Sequence, residues 1–182
     1  MLYLIVALLV VIDQITKMLV ISRVELHQVV PIIDGFFSIT FVKNTGGAFS
    51  FLSDTTWGIF ILTALSVVVS IITLILIRYF KQSYYSRVRL ALTVLAGGAI
   101  GNMIDRIWSG AVVDFLMFDF GSYTFPIFNF ADMCIVVSCI SLIFILFFDR
   151  KLIDAMSQEK PKPKSHKRVS DEQEEKESTS DE

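Results

Sequence analysis

Two aspartates lie beside long apolar stretches of this sequence. Asp114 stands between Ala-Val-Val and Phe-Leu-Met-Phe, and Asp132 follows Phe-Asn-Phe-Ala and opens the apolar run 133–148. A carboxylate next to hydrocarbon is costly unless it is paired, hydrated or protonated, so each position indicates function. Brought together, the two groups could share one proton and, with a water molecule, cleave a bond by general acid–base catalysis.

Asp114 and Asp132 have no basic residue next to them in the sequence, which favours them as the working pair. Without a fixed cation nearby, two close carboxylates should not both ionise, so one keeps its proton and the other can accept one. Asp105, by contrast, is followed directly by Arg106. We expect a salt bridge there that keeps Asp105 ionised as a bracing acid. From spacing alone, a pair formed by Asp105 and Asp132 remains an alternative.

Further polar residues interrupt the apolar segments. Asp13 and Lys17 are four residues apart, so they share a helix face and can form a structural charge pair. Lys17 could instead extend outward and bind a lipid or a substrate carbonyl. Asn102 lies on the same helix face as Asp105, one turn before it. Just upstream, Gly97 and Gly101 form a GxxxG step that allows another helix to approach closely.

Small and amide side chains accompany the aspartates. The amide of Asn129 could orient a carboxylate or a substrate carbonyl, and the small Ala131 would leave space for a chain to pass. A second segment, Asn44-Thr-Gly-Gly-Ala-Phe49, contains two adjacent glycines, which allow backbone conformations closed to other residues. Taken alone, this glycine-rich segment could be a simple connection.

The composition places these residues in a membrane protein. Of 182 residues, 54% are hydrophobic, and the mean hydropathy is +0.65. About 20 apolar residues in a helix span the ~30 Å hydrocarbon core of a bilayer. We predict four transmembrane helices, running roughly from Leu2 to Ser22, Trp57 to Ile77, Leu90 to Trp108 and Asp132 to Phe148. The first lacks a basic start and an Ala-x-Ala-like exit, so we expect it to remain as an anchor instead of being cleaved.

The placement of lysine and arginine predicts the orientation. Basic residues without an acid occupy the connection between the second and third helices, and two more follow the fourth helix. They are Arg78, Lys81, Arg87, Arg89, Arg150 and Lys151. These ends should face the cytoplasm, so both termini are cytoplasmic and the connections 23–56 and 107–131 lie outside.

Both outer connections are predicted to fold. Strand-like residues flank an Asp34-Gly35 turn in the first, which is a hairpin signal, and β-branched and aromatic residues surround Gly121 in the second. The predicted fold class is therefore an α-helical membrane protein with four transmembrane helices and a small β-rich extracytoplasmic platform. Residues 1–150 would form this domain.

Residues 151–182 are predicted to be a disordered, charged cytoplasmic tail. The tail begins basic, ends acidic and contains almost nothing apolar, so it cannot bury a core. Its basic part could contact anionic lipid headgroups, or the tail could simply aid solubility. No folded basic face is apparent, so nucleic-acid binding is not expected. Neither a metal nor another cofactor is expected, because Cys134 and Cys139 lie in an apolar helix and no His, Cys and carboxylate set has ligand spacing.

Five segments occur in order along the predicted spans and outer connections. They are Asp13-Gln-Ile-Thr-Lys17, Asn44-Thr-Gly46-Gly-Ala48-Phe49, Gly101-Asn102-Met-Ile-Asp105-Arg106, Val113-Asp114-Phe115 and Phe128-Asn129-Phe-Ala131-Asp132. With them, the chain resembles the bacterial lipoprotein signal peptidases (signal peptidase II) from the first helix to the fourth.

The resemblance implies an intramembrane aspartic endopeptidase of the bacterial cell membrane, with its active site near the outer face. Implied substrates are prolipoproteins whose cysteine carries a diacylglyceryl group, cleaved on the amino side of that cysteine. The implied catalytic pair is Asp114 and Asp132. The implied supporting residues are Asp13, Lys17, Asn44, Gly46, Asn102, Asp105, Arg106, Asn129 and Ala131. Membrane lipids are the other expected partners, and we expect a monomer without a cofactor.

Two functions of other classes compete with this interpretation. Four spans with intramembrane acids and bases could form a small proton-coupled transporter or channel subunit, although its acids should then follow a path across the bilayer. The polar residues could also serve only helix association in a non-catalytic scaffold. A lipidated precursor separates the three, because only a protease yields a shortened product that keeps its lipid.

Overall fold

The structure is a computed structural model, and it describes residues 1–46 and 57–158. The helices are α1 (Leu2–Arg23), α2 (Gly58–Tyr79), α3 (Ser86–Ser109), α4 (Phe130–Phe148) and α5 (Arg150–Gln158), with a short 3-10 helix at Ser83–Tyr85. The strands are β1 (Val29–Ile33), β2 (Phe37–Asn44), β3 (Val112–Phe120) and β4 (Tyr123–Thr124). The predicted motif residues Gly47, Ala48 and Phe49 lie outside the described part of the chain.

Four of the helices are long and apolar enough to cross a membrane. They are α1 and α2 with 22 residues each, α4 with 19, and α3, which forms a span of 27 residues with the preceding 3-10 helix. The four predicted spans are confirmed, although α3 begins at Ser86, before the predicted start at Leu90. Its added first turn carries Arg87, so apolar content alone marked the start of this helix too late.

Helix α3 is the centre of the bundle, because α1, α2 and α4 each pack extensively on it. A Cβ atom at Gly97 would lie 2.8 Å from the Cβ of Leu9, and one at Gly101 would lie 2.5 Å from Asp13 Oδ2. The close approach predicted from the GxxxG step is therefore confirmed, and the neighbour is α1. Gly98 makes a second close approach, since a Cβ there would lie 2.5 Å from the carbonyl oxygen of Ala131 on α4.

The four strands form one antiparallel sheet in the order β1-β2-β3-β4. Gly35 and Gly121 have φ angles of 69° and 68° at the two hairpin turns, a region that favours glycine. The hairpin and the β-rich second connection are therefore confirmed. Val20, near the end of α1, packs with Phe41 of β2 and Phe115 of β3, which fixes the sheet to one end of the bundle.

A two-residue link joins α3 to β3. Gly110 ends α3 in the left-handed region, with φ 70° and ψ 9°, and Ala111 leads directly into the strand. The last turn of α3 and the first residues of β3 are therefore held close together. Asp105 and Asp114 lie on opposite sides of this link.

The start of the predicted tail is helical. Asp149 Oδ1 accepts a hydrogen bond of 3.1 Å from the backbone N–H of Lys151, and its Oδ2 forms an ion pair of 3.0 Å with Arg87. Leu152 is only 1% exposed and packs with Ile77 in the hydrophobic core. Disorder was predicted for 151–182, and for 151–158 that prediction is wrong, because a cap and a buried leucine stabilise α5. Residues 159–182 lie outside the described part of the chain.

We expect Gly98→Ala to lower the stability of the bundle by about 1–3 kcal/mol, because the added methyl meets the backbone of α4, which cannot rotate away. In an open helix the same change would raise stability by up to about 1 kcal/mol. Thermal unfolding midpoints in detergent micelles measure the effect. Gly97→Ala is the matched comparison and should cost less, because its closest approach, to Leu9 Cβ, is 2.8 Å instead of 2.5 Å. A midpoint for Gly98→Ala at or above that of the wild type would contradict the packing argument.

Candidate active site

Asp114 and Asp132 line the same cavity. Asp114 belongs to β3, opposite Val42 of β2, and Asp132 lies in the first turn of α4. The cavity has a volume of about 720 Å³ and lies between α2, α3, α4 and the connection from β3 to α4. Its other walls are largely apolar, including Leu62, Leu65 and Val69 of α2. Two carboxylates thus face a space with few other polar groups.

The N-terminal cap of helix α4 holds the Asp132 carboxylate in place. Asn129 Oδ1 accepts a hydrogen bond of 2.9 Å from the backbone N–H of Asp132, and Asp132 Oδ2 accepts one of 3.1 Å from the backbone N–H of Asn129. This reciprocal capping box fixes the first turn. The remaining oxygen, Oδ1, accepts a hydrogen bond of 2.8 Å from Asn102 Nδ2.

Two amides hold the Asp114 carboxylate. Oδ1 accepts a hydrogen bond of 2.6 Å from Asn129 Nδ2, and Oδ2 accepts one of 2.9 Å from Asn44 Nδ2. The backbone N–H of Gly46 donates to Asn44 Oδ1 at 2.9 Å, so the nitrogen of that amide must face Asp114. Asn129 therefore makes the contact with a carboxylate expected from the sequence, and Asn44 and Gly46 act together.

Burial dominates the acidity of Asp114, which lies outside the membrane-spanning helices. The side chain is 3% exposed. Loss of hydration, and then the nearby charge of Asp132, raise the pKa of Asp114 from 3.8 to about 6, against the opposing effect of the Asn44 and Asn129 hydrogen bonds. Asp114 therefore holds a proton at a pH where an ordinary aspartate has lost it.

Lys17 is the hub of a buried polar cluster behind the cavity. Its ammonium lies 2.9 Å from Asp13 Oδ2, 2.8 Å from Asp105 Oδ2 and 3.0 Å from Asn102 Oδ1. The predicted pair with Asp13 is confirmed. The alternative in which Lys17 extends outward to a lipid or substrate is wrong, because the side chain is 2% exposed and its three hydrogens face these three oxygens.

The two acids bound to Lys17 each hold the residue before a cavity aspartate. Asp13 Oδ1 accepts a hydrogen bond of 3.0 Å from the backbone N–H of Ala131, which precedes Asp132. Asp105 Oδ2 accepts one of 3.2 Å from the backbone N–H of Val113, which precedes Asp114. The cluster thus anchors both chain segments that carry the carboxylates.

The predicted salt bridge between Asp105 and Arg106 is wrong. Both residues are described, but they form no ion pair, because successive residues point about 100° apart around a helix. Arg106 lines the cavity instead, where its Nη1 donates to Ser66 Oγ at 3.2 Å and its charge interacts with Asp132 and Asp114. Asp114 and Asp132 have no basic neighbour in the sequence, but the fold brings Arg106 near both of them.

The sequence suggested that the small Ala131 leaves space for a chain to pass, and this expectation is wrong. It is 0% exposed, and its carbonyl and methyl lie against Gly98 and Gly101 of α3. Its small size serves close packing of α4 on α3.

Sequence reasoning missed two residues of the site. Gln14 donates from Nε2 to Asp105 Oδ1 at 2.9 Å and to Asp13 Oδ2 at 3.1 Å, and Ser66 accepts from Arg106. Gln14 was recognisable, because it is an intramembrane polar residue directly after Asp13. Ser66 carried no such signal, since a serine in a helix usually bonds its own backbone, as Ser66 also does with Leu62.

The alternative pair of Asp105 and Asp132 has little geometric support. Asp105 is engaged by Lys17, Gln14 and the backbone of Val113, and it is not among the residues that line the cavity. Within the described residues, no group of three or more His, Cys, Asp or Glu side chains could hold a metal ion.

Comparison with known proteins gives consistent matches. A family model described as Signal peptidase (SPase) II matches residues 5–148. The Lipoprotein signal peptidase of Symbiobacterium thermophilum is 45% identical over 138 residues, covering 75% of this chain and 86% of the relative. That of Bacillus subtilis is 40% identical over 164 residues, covering 88% and 99%.

Two solved structures share the fold. Both are described as bacterial membrane enzymes determined by the in meso method, one at 2.3 Å and one at 1.9 Å resolution. The first has a TM-score of 0.69 and 27% identity, covering 89% of this chain and 93% of the other. The second has a TM-score of 0.64 and 33% identity, covering 81% and 93%.

The raised pKa of Asp114 makes stability depend on pH. Between pH 3.8 and about 6, Asp114 binds more protons in the folded protein than in the unfolded chain, so its contribution to stability falls as pH rises through this range, by on the order of 3 kcal/mol. Asp114→Asn removes this proton uptake, so its thermal midpoint should fall less than that of the wild type over the same range. Asp34→Asn, at an exposed hairpin turn, is the control and should follow the wild type. Parallel curves for wild type and Asp114→Asn would refute the argument.

Proposed function

The chain belongs to the signal peptidase II family of lipoprotein signal peptidases, and we propose that Asp114 and Asp132 are its catalytic pair. It is a multi-pass membrane protease that processes prolipoproteins. The observation that supports the proposal is that both carboxylates line one largely apolar cavity and that amide groups hold each of them in place.

The proposed reaction uses the two aspartates in different protonation states. Asp114 holds the shared proton, in keeping with its raised pKa of about 6, and Asp132 acts as the general base. Asp132 removes a proton from water as the water oxygen attacks the scissile carbonyl carbon, and Asp114 donates its proton to the carbonyl oxygen. The tetrahedral intermediate then collapses as the C–N bond breaks. The leaving amine takes a proton from Asp132, and one hydroxyl of the intermediate returns a proton to Asp114 as the product carboxyl group forms.

The shape of the bundle suggests how a lipid-modified substrate would enter. In the described part of the chain, α2 packs extensively on α3, whereas the cavity separates it from α4. A signal helix could enter from the bilayer between α2 and α4 while its diacylglyceryl chains remain in lipid. Moving those chains into water would cost ~0.8 kcal/mol per methylene. We propose cleavage on the amino side of the modified cysteine.

Arg106 is suited to hold the substrate backbone. Its Nε is buried and has no hydrogen-bond partner among the described residues, and the guanidinium lines the cavity. A buried donor without a partner is costly, and a substrate carbonyl would satisfy it. We propose that Arg106 binds a carbonyl oxygen beside the scissile bond, while its charge attracts the Asp132 carboxylate.

We propose that residues 1–150 are the catalytic domain, that both termini are cytoplasmic and that the protein acts as a monomer. The cavity aspartates and the sheet lie at one end of the bundle. The basic residues Arg78, Lys81, Arg87 and Lys151 lie at the other, which supports a cytoplasmic position for that end. The active site would then lie near the outer face of the membrane.

This orientation predicts that a fluorescent protein fused to the C-terminus folds and fluoresces in cells, whereas alkaline phosphatase at the same position stays inactive because it is not exported. Insertion of the phosphatase at the Asp34-Gly35 turn should make it active. The opposite pattern would place the active site on the cytoplasmic side.

We expect Asp114→Asn and Asp132→Asn each to abolish cleavage while the protein still inserts and folds, because neither can then transfer the required proton. The assay is mass analysis of a purified diacylglyceryl-modified precursor incubated with the enzyme in lipid nanodiscs. Asp119→Asn is the matched control, since Asp119 lies on the same strand but hydrogen-bonds Thr124 instead of lining the cavity. It should retain activity.

Other outcomes would redirect the assignment. Normal cleavage by either Asn variant would remove that residue from the pair. An active Asp114→Asn together with a stable but inert Asp105→Asn would favour the pair of Asp105 and Asp132. We expect Asp105→Asn instead to lower the folded yield, because it breaks the contact with Lys17.

A further inference from the structure

The amide nitrogen of Gln14 faces three oxygen atoms. Nε2 lies 2.9 Å from Asp105 Oδ1, 3.1 Å from Asp13 Oδ2 and 3.3 Å from the carbonyl oxygen of Gly101. An amide oxygen in this position would face three acceptors, so the nitrogen must lie on this side. Gln14 therefore acts as a donor that joins an acid of α1 to an acid of α3.

The hydrogen bonds of Lys17 are distributed in an unexpected way. Two carboxylates, Asp13 and Asp105, surround one ammonium, and carboxylates are stronger acceptors than amides. Yet each carboxylate receives one of the three ammonium hydrogens, and the third goes to the neutral carbonyl of Asn102 at 3.0 Å. Other hydrogen-bond donors to the two carboxylates would leave that third hydrogen to Asn102.

Gln14 donates a hydrogen bond to each of the two carboxylates. Asp105 receives Gln14 at Oδ1 while Lys17 and the backbone of Val113 donate to its Oδ2. The other acid, Asp13, receives Gln14 and Lys17 at Oδ2 and the backbone N–H of Ala131 at Oδ1. With both carboxylates bonded at both oxygens, Lys17 can leave one hydrogen on Asn102.

That third hydrogen sets the orientation of the Asn102 amide. Its carbonyl oxygen accepts from Lys17 and from Asn129 Nδ2 at 3.2 Å, so its Nδ2 must face Asp132, to which it donates at 2.8 Å. Gln14 itself does not line the cavity. Its connection to Asp132 runs through Lys17 and Asn102.

We propose that Gln14 is a positioning residue for peptide cleavage, acting through Lys17 to hold the Asn102 amide in the orientation that donates to Asp132. This inference rests on the proposed catalytic role of Asp132. Without the donors of Gln14, Asp13 and Asp105 compete for the third hydrogen of Lys17. The Asn102 amide then loses the closer of its two donors and is held only by Asn129 Nδ2, so its orientation toward the Asp132 carboxylate is less firmly fixed.

Steady-state kinetics of Gln14→Met and Gln14→Leu test the proposal. Methionine has a similar length and leucine is shorter and branched, and neither side chain has a hydrogen-bond donor. We expect kcat to fall roughly ten- to hundredfold, as for loss of a hydrogen bond to a charged group, with KM unchanged because the cavity wall is intact. Thr16→Val, two residues along α1, is the control, since among the described residues its hydroxyl bonds only the carbonyl of Asp13 within the helix.

A double-mutant cycle with Asn102→Ala identifies the route of the effect. If Gln14 acts through Asn102, adding Gln14→Met to Asn102→Ala should cause almost no further loss of kcat. Fully additive losses would refute the route. Wild-type kcat in either Gln14 variant, or a lower thermal midpoint with unchanged kcat per folded enzyme, would overturn the inference.

Asp132→Asn is assayed beside these variants to separate the two claims. If Asp132→Asn still cleaves, the proposed function fails. If it is inactive while both Gln14 variants retain wild-type kcat, the function stands and only the role of Gln14 fails. If Gln14→Met does not fold, Gln14→Leu decides the question.

Discussion

The site depends on one buried ammonium. Lys17 brings an acid of α1, an acid of α3 and an amide of α3 to within 3.0 Å of a single nitrogen. Burying a charge is favourable only when it is paired and fully hydrogen-bonded, so the three acceptors and the ammonium require one another. Because Asp13 holds α4 and Asp105 holds β3, this cluster determines where the two cavity carboxylates lie.

Three asparagine side-chain amides orient the two cavity carboxylates. Asn129 is fixed by the helix cap, Asn44 by the N–H of Gly46, and Asn102 by Lys17, so each presents nitrogen to an aspartate. An amide donor stabilises a carboxylate without adding a net charge. The proposed sharing of one proton between the two aspartates fits this arrangement, because cations at every position would favour ionisation of both groups. The nearby cation, Arg106, contacts Ser66 across the cavity.

Much of the fold could be predicted from the sequence, because its signals are local. Apolar length located the four spans, the Asp34-Gly35 turn located the hairpin, and the GxxxG step located a close helix contact. The errors concern which partner a side chain meets in space. Adjacency suggested that Arg106 pairs with Asp105, although the helix turns them to different sides. Spacing in α1 correctly paired Lys17 with Asp13, but it left open an outward extension of Lys17, because the partners on α3 cannot be read from the sequence of α1.

The walls of the cavity differ in whether they hold the two aspartates in place. Among the described residues, the hydrogen bonds that hold Asp114 and Asp132 come from β2, α3 and the start of α4, whereas α2 contributes apolar side chains and the contact of Ser66 with Arg106. A displacement of α2 would therefore break none of these hydrogen bonds to either carboxylate. The helix that bounds the width of the cavity is thus separate from the elements that orient the two aspartates.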